Sequence, residues 1–465
     1  MGRDMDVVYQ SASLSAASYV SLQHQDFLVG ATIADAAWNR RMPGVQTFSG
    51  RGFTQRQFAE VQRVYRVPCH QPDTTAGFSA TVFENIASGE LHLAFRGTTE
   101  PGEEWRDVAL ALEFADQLAA LLRAGVVDDF LRAADLLDAT GKANPAYIGR
   151  LRLTGHSLGG HLALWAAVKH PELVMRVDTF NGAGMSCSPP VMMLLETLWR
   201  DTVLPALSAS ALDPARVHNY YADPGPQASG AGAFGYRPGE HVPLFIEDHS
   251  EQGRNPLENH AMAYLLESLA LYRLFGAIDA SLSFEDVAAI LEGGSNINNG
   301  SIAATASALG DALGGNYAGL DDAVALFDAL GPDIAAGVWN DARIKPLADL
   351  DMRAVALENS VRGSSYRFAL QNLHSFALLA RGAASSGLTR GTFTPEYLER
   401  RCFVLESLLL RNRGELSMVA EARHVPATAW PMRQVSGEDF RGLGGGFGQV
   451  RKLFRNGAPA AVRIR

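Results

Sequence analysis

The sequence predicts an α/β fold: a mostly parallel central sheet covered by helices, followed by a helical C-terminal region. Three observations predict it. Short apolar runs alternate with stretches of helical periodicity between about residues 77 and 225, the pattern of a largely parallel sheet buried on both faces. Turn residues follow several of these runs directly, at Asn181-Gly182 and at Ala222-Asp223-Pro224-Gly225. From about His260 onward the periodicity is almost wholly helical.

The elements follow in order. Residues 1–75 read mainly as helix, and Thr54-Gln55-Arg56-Gln57 resembles a capping box opening a helix through Phe58, Val61 and Val64. Phe78–Phe83 and Leu91–Phe95 flank a turn at Ala87–Glu90 and read as a hairpin. A helical pattern covers Val126–Ala139. The apolar run at Leu151 then meets Gly155-His156-Ser157-Leu158-Gly159-Gly160, and a strong helix former runs from His161 to His170, stopped by Pro171. Val177–Phe180 and Val217–Tyr221 are two further strands. Between them Val191–Trp199 is strongly apolar, as a packed helix or as a cap offering an acyl-binding surface. Gly293–Gly300 is a candidate boundary, so the expected domains are 1–292 and 301–465. The last fifty residues carry eight Lys/Arg against three Asp/Glu, a basic tail on an acidic chain.

At 465 residues with 47% apolar content the chain can bury a large core and exceeds the usual size of a single one. The net charge of −10 argues against nucleic acid as a partner. No stretch has the length and purity of a membrane span, and residues 1–26 lack the apolar segment of a signal peptide. The expected location is therefore cytoplasmic, or outside the cell by a route that needs no such signal. Three scattered cysteines give neither a disulfide framework nor a metal cluster.

The chemistry concentrates at the Gly-x-Ser-x-Gly pattern centred on Ser157. Set between a strand and a helix, it forces the serine into strained backbone geometry and presents its Oγ, while side chains at Gly155 or Gly159 would collide with neighbouring elements. Such a serine needs a base, a carboxylate to orient the base, and donors for an oxyanion. Asp223 is the favoured carboxylate because it directly follows an apolar strand; Asp213 and Asp178 are rivals. His260 is the favoured base because a helix begins just after it; His249 is the main rival, and His241 and His374 are further candidates. A turn at Gly97-Thr98 would present one backbone donor and Leu158 the other. Arg96 reads as a structural ion-pair partner. His241, Glu247, Asp248 and His249 lack metal-ligand spacing and read as a solvated loop, so no metal or cofactor is expected there.

Phe95-Arg96-Gly97-Thr98, Trp105-Arg106-Asp107-Val108 and Gly155–Gly160 together resemble the class 3 lipase family of α/β-hydrolases. The resemblance implies an α/β-hydrolase domain, an oxyanion hole from Thr98 and Leu158, lid residues near Glu100–Asp107, and a triad of Ser157, Asp223 and His260. Gly77–Phe83 and Phe180–Gly184 are similar to a bacterial subset in which a lipase-like region opens large calcium-binding repeat proteins. Asp351–Leu373 resembles the helical segment that follows it there. Calcium would come with that subset, but its glycine–aspartate nonapeptide repeats are missing from this sequence.

The reading is a serine carboxylester hydrolase of lipase, phospholipase or esterase type, acting on an ester or lipid substrate with transient contact at a lipid interface. Two alternatives stand beside it: a catalytically silent hydrolase fold serving as an interaction protein, and an exported antibacterial phospholipase.

Overall fold

The computed structural model describes residues 5–19, 55–72, 74, 77–97, 125–184, 205, 210–223, 237–247, 259–294, 301–347, 352–388, 391 and 393–412. They fall into two compact units, one within 3–273 and one within 274–465. Among the described residues no helix is long and apolar enough to cross a membrane.

The first unit is built on a seven-stranded sheet whose spatial order equals its order in sequence. The strands are β1 (Tyr65–Gln71), β2 (Ala80–Asn85), β3 (Leu91–Phe95), β4 (Leu151–His156), β5 (Val174–Phe180), β6 (Val217–Asp223) and β7 (Glu240–Phe245). β1, β2 and β3 pair antiparallel, and β3 through β7 run parallel. The carboxyl ends of the five parallel strands therefore share one edge, where open α/β sheets place their sites. With the flanking helices this is the expected α/β-hydrolase architecture.

Two of these strands depart from the sequence reading. Residues 65–71 form strand rather than helix, and His241 stands on β7 rather than in a loop. Both are edge strands and both contain a proline, Pro68 and Pro243, which a ladder tolerates only where it is unpaired on one side or bulged. The β1–β2 register shifts between Arg66 and Cys69, bracketing Pro68.

Helices cover both faces. α1 (Met5–Ala17) is rich in small residues; Ser11, Ala12, Ser13, Ser15, Ala16 and Ala17 are all buried, which lets its backbone approach the sheet. α2 (Gln55–Val64) buries Phe58 and Val61. α3 (Val126–Ala133) stops earlier than the sequence pattern suggested, its chain turning left-handed at Asp135. α4 (Leu158–Lys169) is buried on all sides through Val168, as expected of a helix packed between other elements rather than along a surface. The period-two alternation of β4 separates the faces. Leu151 and Leu153 join the apolar cluster of Leu162, Trp165 and Phe130, whereas the Thr154 hydroxyl donates to the Ser11 carbonyl at 3.1 Å on the α1 side.

α5 (Met262–Ile278) is the long apolar helix expected after His260. The second unit then contains α6 (Phe284–Gly294), α7 (Ser301–Leu313), α8 (Ala323–Ala335), β8 (Arg343–Pro346), α9 (Met352–Ala356), α10 (Val361–Asn372), β9 (Phe376–Leu379) and α11 (Pro395–Asn412). The two-stranded antiparallel ribbon β8–β9 corrects the all-helical expectation. Its strands are four residues each, too short to show alternation. Leu347 follows β8, and Met352 and Val355 lie on α9. A core of Leu347, Met352, Val355, Leu370, Leu398 and Leu405 holds part of this unit together.

Candidate active site

Ser157 occupies the turn between β4 and α4 with φ 56° and ψ −124°. A non-glycine residue there costs on the order of 1–3 kcal/mol, sustained only where the surroundings over-determine it. Here they do. The Ser157 amide donates to the Phe180 carbonyl at 3.2 Å, and its carbonyl accepts from Gly160 at 3.0 Å and Ala183 at 3.1 Å. The flanking glycines are required by close approach: a Cβ on Gly155 would lie 2.2 Å from the Gly159 oxygen, and one on Gly159 would lie 2.1 Å from the Phe95 oxygen. The half-buried serine side chain is not spent on capping α4. Leu158 gives the first amide of that helix, whose N-terminal end carries partial positive charge.

Asp223 is the last residue of β6, two strands from the serine on the same sheet edge, and is exposed. His260 is partly exposed and immediately precedes Ala261 and α5. Its ring lies 4.8 Å from the His156 ring, centroid to centroid. Its main-chain carbonyl accepts from His156 Nε2 at 2.7 Å and Asn181 Nδ2 at 3.0 Å. Thr98, the lid segment near Glu100–Asp107, His249, Asp248 and Val191–Trp199 lie outside the described residues. Gly97 sits against the elbow, since a Cβ there would come within 2.6 Å of the His156 oxygen and 3.2 Å of Ser157 Cβ.

The rival residues have other partners. Asp178 is fully buried, held by Arg176 Nε at 2.8 Å to both carboxylate oxygens and by the Ser11 hydroxyl at 2.8 Å. Asp213 accepts from the Ala215 amide at 3.0 Å and caps a short turn. His241 Nε2 lies 3.3 Å from the Arg237 carbonyl. His374 is buried in the second unit, stacked on Phe376. Arg96 is buried and donates to the Gly77 carbonyl at 3.3 Å.

Electrostatics set the protonation of the rings around the elbow. Burial, and then the neighbouring His260, pull the His156 imidazole down to about 3, so it is neutral at physiological pH. His161, on α4, is likewise held down to about 4 by burial, while its Nδ1–H donates to the Gly184 carbonyl at 2.9 Å. Arg237, lowered to about 10 by burial, donates from Nε to the Gly182 carbonyl at 2.7 Å.

Sequence reasoning missed Tyr19, Asn181 and the side chain of His156. The Tyr19 hydroxyl lies 2.8 Å from His156 Nδ1. Asn181, at φ 44°, accepts from the Ala222 amide at 3.0 Å. A non-glycine residue in the turn after an apolar strand was the available signal for Asn181; Tyr19 carried none.

The sequence family described as "Putative esterase" matches residues 128–222, which hold β4, the elbow, α4, β5 and all but the last residue of β6. Among solved structures the chain is similar to the Rhizomucor miehei lipase propeptide complex, at 16% identity over 54% of this chain and 70% of that one, with a TM-score of 0.27. The Rhizopus microsporus var. chinensis lipase gives 15% identity over 52% and 74% of the two chains, with a TM-score of 0.26. Nonglycosylated Yarrowia lipolytica LIP2 lipase gives 14% identity over 52% and 79%, with a TM-score of 0.27. No curated protein matches.

Proposed function

We propose that the chain is a serine carboxylester hydrolase of the lipase and esterase type. The observation that carries this is Ser157 at φ 56° and ψ −124° on a strand-to-helix turn, stored strain at the point where a nucleophile would be presented. The esterase match over 128–222 supports the same chemistry.

In this reading His260 accepts the proton of the Ser157 hydroxyl as Oγ bonds to the ester carbonyl carbon. The amides of Leu158 and Thr98 hold the resulting oxyanion. His260 then returns the proton to the departing alcohol as the C–O bond breaks, leaving an acyl-enzyme. Water enters by the reverse sequence, releasing the acid and restoring the serine. Asp223 orients the imidazole and balances its transient charge. Membership of the class 3 lipases is proposed on the sequence motifs Phe95–Thr98, Trp105–Val108 and Gly155–Gly160, kinship with the lipase-like regions of calcium-binding repeat proteins on the resemblance at Gly77–Phe83, Phe180–Gly184 and Asp351–Leu373, and a division into a 1–292 hydrolase domain and a 301–465 helical region on the glycine-rich sequence Gly293–Gly300.

The test is turnover of a p-nitrophenyl ester series together with labelling by a fluorophosphonate probe. The wild-type chain labels at Ser157 and hydrolyses esters; Ser157→Ala loses both while keeping its circular dichroism. Turnover retained in that variant overturns the proposal.

A further inference from the structure

We infer that Tyr19, His156 and Asn181 are positioning residues that fix the candidate base, His260, by its main-chain carbonyl. This rests on the proposed hydrolase reading and adds to it the means by which that histidine is held.

A carbonyl oxygen can only accept, so the 2.7 Å contact from His156 Nε2 requires that nitrogen to carry a proton. The buried ring is neutral, so Nδ1 carries the lone pair and accepts from the Tyr19 hydroxyl at 2.8 Å. The tautomer is thus set from both sides. Asn181 Nδ2 supplies the second donor to the same carbonyl at 3.0 Å and reaches the Asn259 carbonyl at 3.5 Å. Both lone pairs of the His260 oxygen are taken.

The three donors come from places that matter to the site. His156 is the last residue of β4 and precedes Ser157. Asn181 follows β5, donates its amide to the Tyr220 carbonyl at 2.8 Å, and accepts at Oδ1 from Ala222, the residue before Asp223. Tyr19 stands against Gly97: a Cβ there would come within 2.2 Å of its hydroxyl. One run of hydrogen bonds therefore links the nucleophile's strand, the carboxylate's strand and the base. A base tethered by its backbone is held in place without calling on its ring for support. A neutral His156 also avoids placing a second cation 4.8 Å from the imidazolium that forms in each cycle.

The test compares His156→Leu with His156→Gln, whose amide can both donate to the carbonyl and accept from Tyr19. We expect kcat of His156→Leu to fall by about 10- to 100-fold with KM within about twofold, since misplacing a catalytic group by about 1 Å costs that much. His156→Gln recovers most of the loss, and Tyr19→Phe, which keeps its ring, loses severalfold. Long-range 1H–15N spectra of the wild-type chain show His156 as the Nε2-protonated neutral ring from pH 5 to 8, a readout that needs no activity. Wild-type kcat in His156→Leu or Tyr19→Phe, equal losses in His156→Leu and His156→Gln, or an Nδ1-protonated His156 overturns the inference and leaves the hydrolase reading standing. A wild-type chain that neither turns over esters nor reacts with fluorophosphonate overturns both. If His156→Leu does not fold, Tyr19→Phe and the spectra decide alone.

Discussion

The two units carry backbone strain to different ends. In the sheet unit, Ser157 and Asn181 adopt positive φ at the carboxyl ends of β4 and β5, beside the candidate base. Among the described non-glycine residues of the second unit the one at positive φ is Leu373, which closes α10, its amide and that of His374 both returning to the Ala369 carbonyl. In the sheet unit strain presents polar groups at Ser157 and Asn181 and closes α3 at Asp135, whereas at Leu373 of the second unit it only ends a helix. Buried charge is satisfied in two ways. Asp178 is neutralised by Arg176 within the sheet unit, whereas Arg367 of the second unit is 1% exposed and donates to the carbonyls of Ala356, Glu358 and Leu388 at 2.7–2.9 Å. Such a guanidinium acts as a strut between backbone segments. The lesson is that a strained residue points to function where other polar side chains converge on it, and to architecture where it satisfies only its own helix.

The sharpest test of that contrast is the serine itself. Ser157→Gly removes the strain and the nucleophile together, so stability should rise by about 1 kcal/mol while ester turnover falls by about 10⁴-fold or more, measured by urea unfolding and by hydrolysis. A variant that loses stability breaks the reading of stored strain.

Next in size is Arg367→Met. It leaves several buried carbonyls without donors, and the unit within 274–465 should lose about 3 kcal/mol or more, seen as earlier proteolysis of residues 352–388. Ester turnover per folded molecule should stay at the wild-type value, and a large fall would erase the division of labour drawn above.

Acid separates the units more gently. His92, His156 and His161 of the sheet unit are held down to about 4, 3 and 4 by burial, and His374 of the second unit to about 4. Each is neutral when folded and gains a proton on unfolding. Its stabilising effect is complete above about pH 6.5 and is lost as pH falls toward those lower values, by at most about 1.4 kcal/mol per pH unit each. Denaturation curves between pH 7 and pH 5 should show the sheet unit weakening more steeply, and His374→Phe should flatten the slope of the second unit alone.

The smallest expected effect is at Asp128 on α3. Burial pushes its carboxyl up, but hydrogen bonds from His170, at 3.1 Å, and Lys169 outweigh this and leave it lowered to about 2. The stabilisation is present above about pH 3.8 and lost as pH falls through about 2. Asp128→Asn should cost about 1 kcal/mol at pH 7 by thermal unfolding, with no change in turnover.

The parts legible in the sequence were those governed by local rules. Gly155, Ser157 and Gly159 announce their own geometry because the clashes a side chain would cause arise within a few residues or one strand away. β4, β5 and β6 are central strands, buried on both faces, and read as plain apolar runs. β1 and β7 did not, because an edge strand can hold Pro68 or Pro243 and face solvent with charged residues. The supports of the site were hidden for another reason. Tyr19 reaches the His156 ring 137 positions away and Asn181 the His260 carbonyl 79 positions away, and no spacing in a sequence marks a carbonyl as a partner.

The strictly sequential strand order has a consequence for how such a protein can change. Every strand of the sheet is laced to its immediate predecessor, and the segments leaving β3, β5, β6 and β7 all depart from the edge that bears Ser157. Lengthening or exchanging those connecting stretches need not disturb any pairing register. Under the proposed hydrolase reading, new substrate preferences can therefore be acquired by trading loops, one at a time, on a scaffold that need not be re-learned.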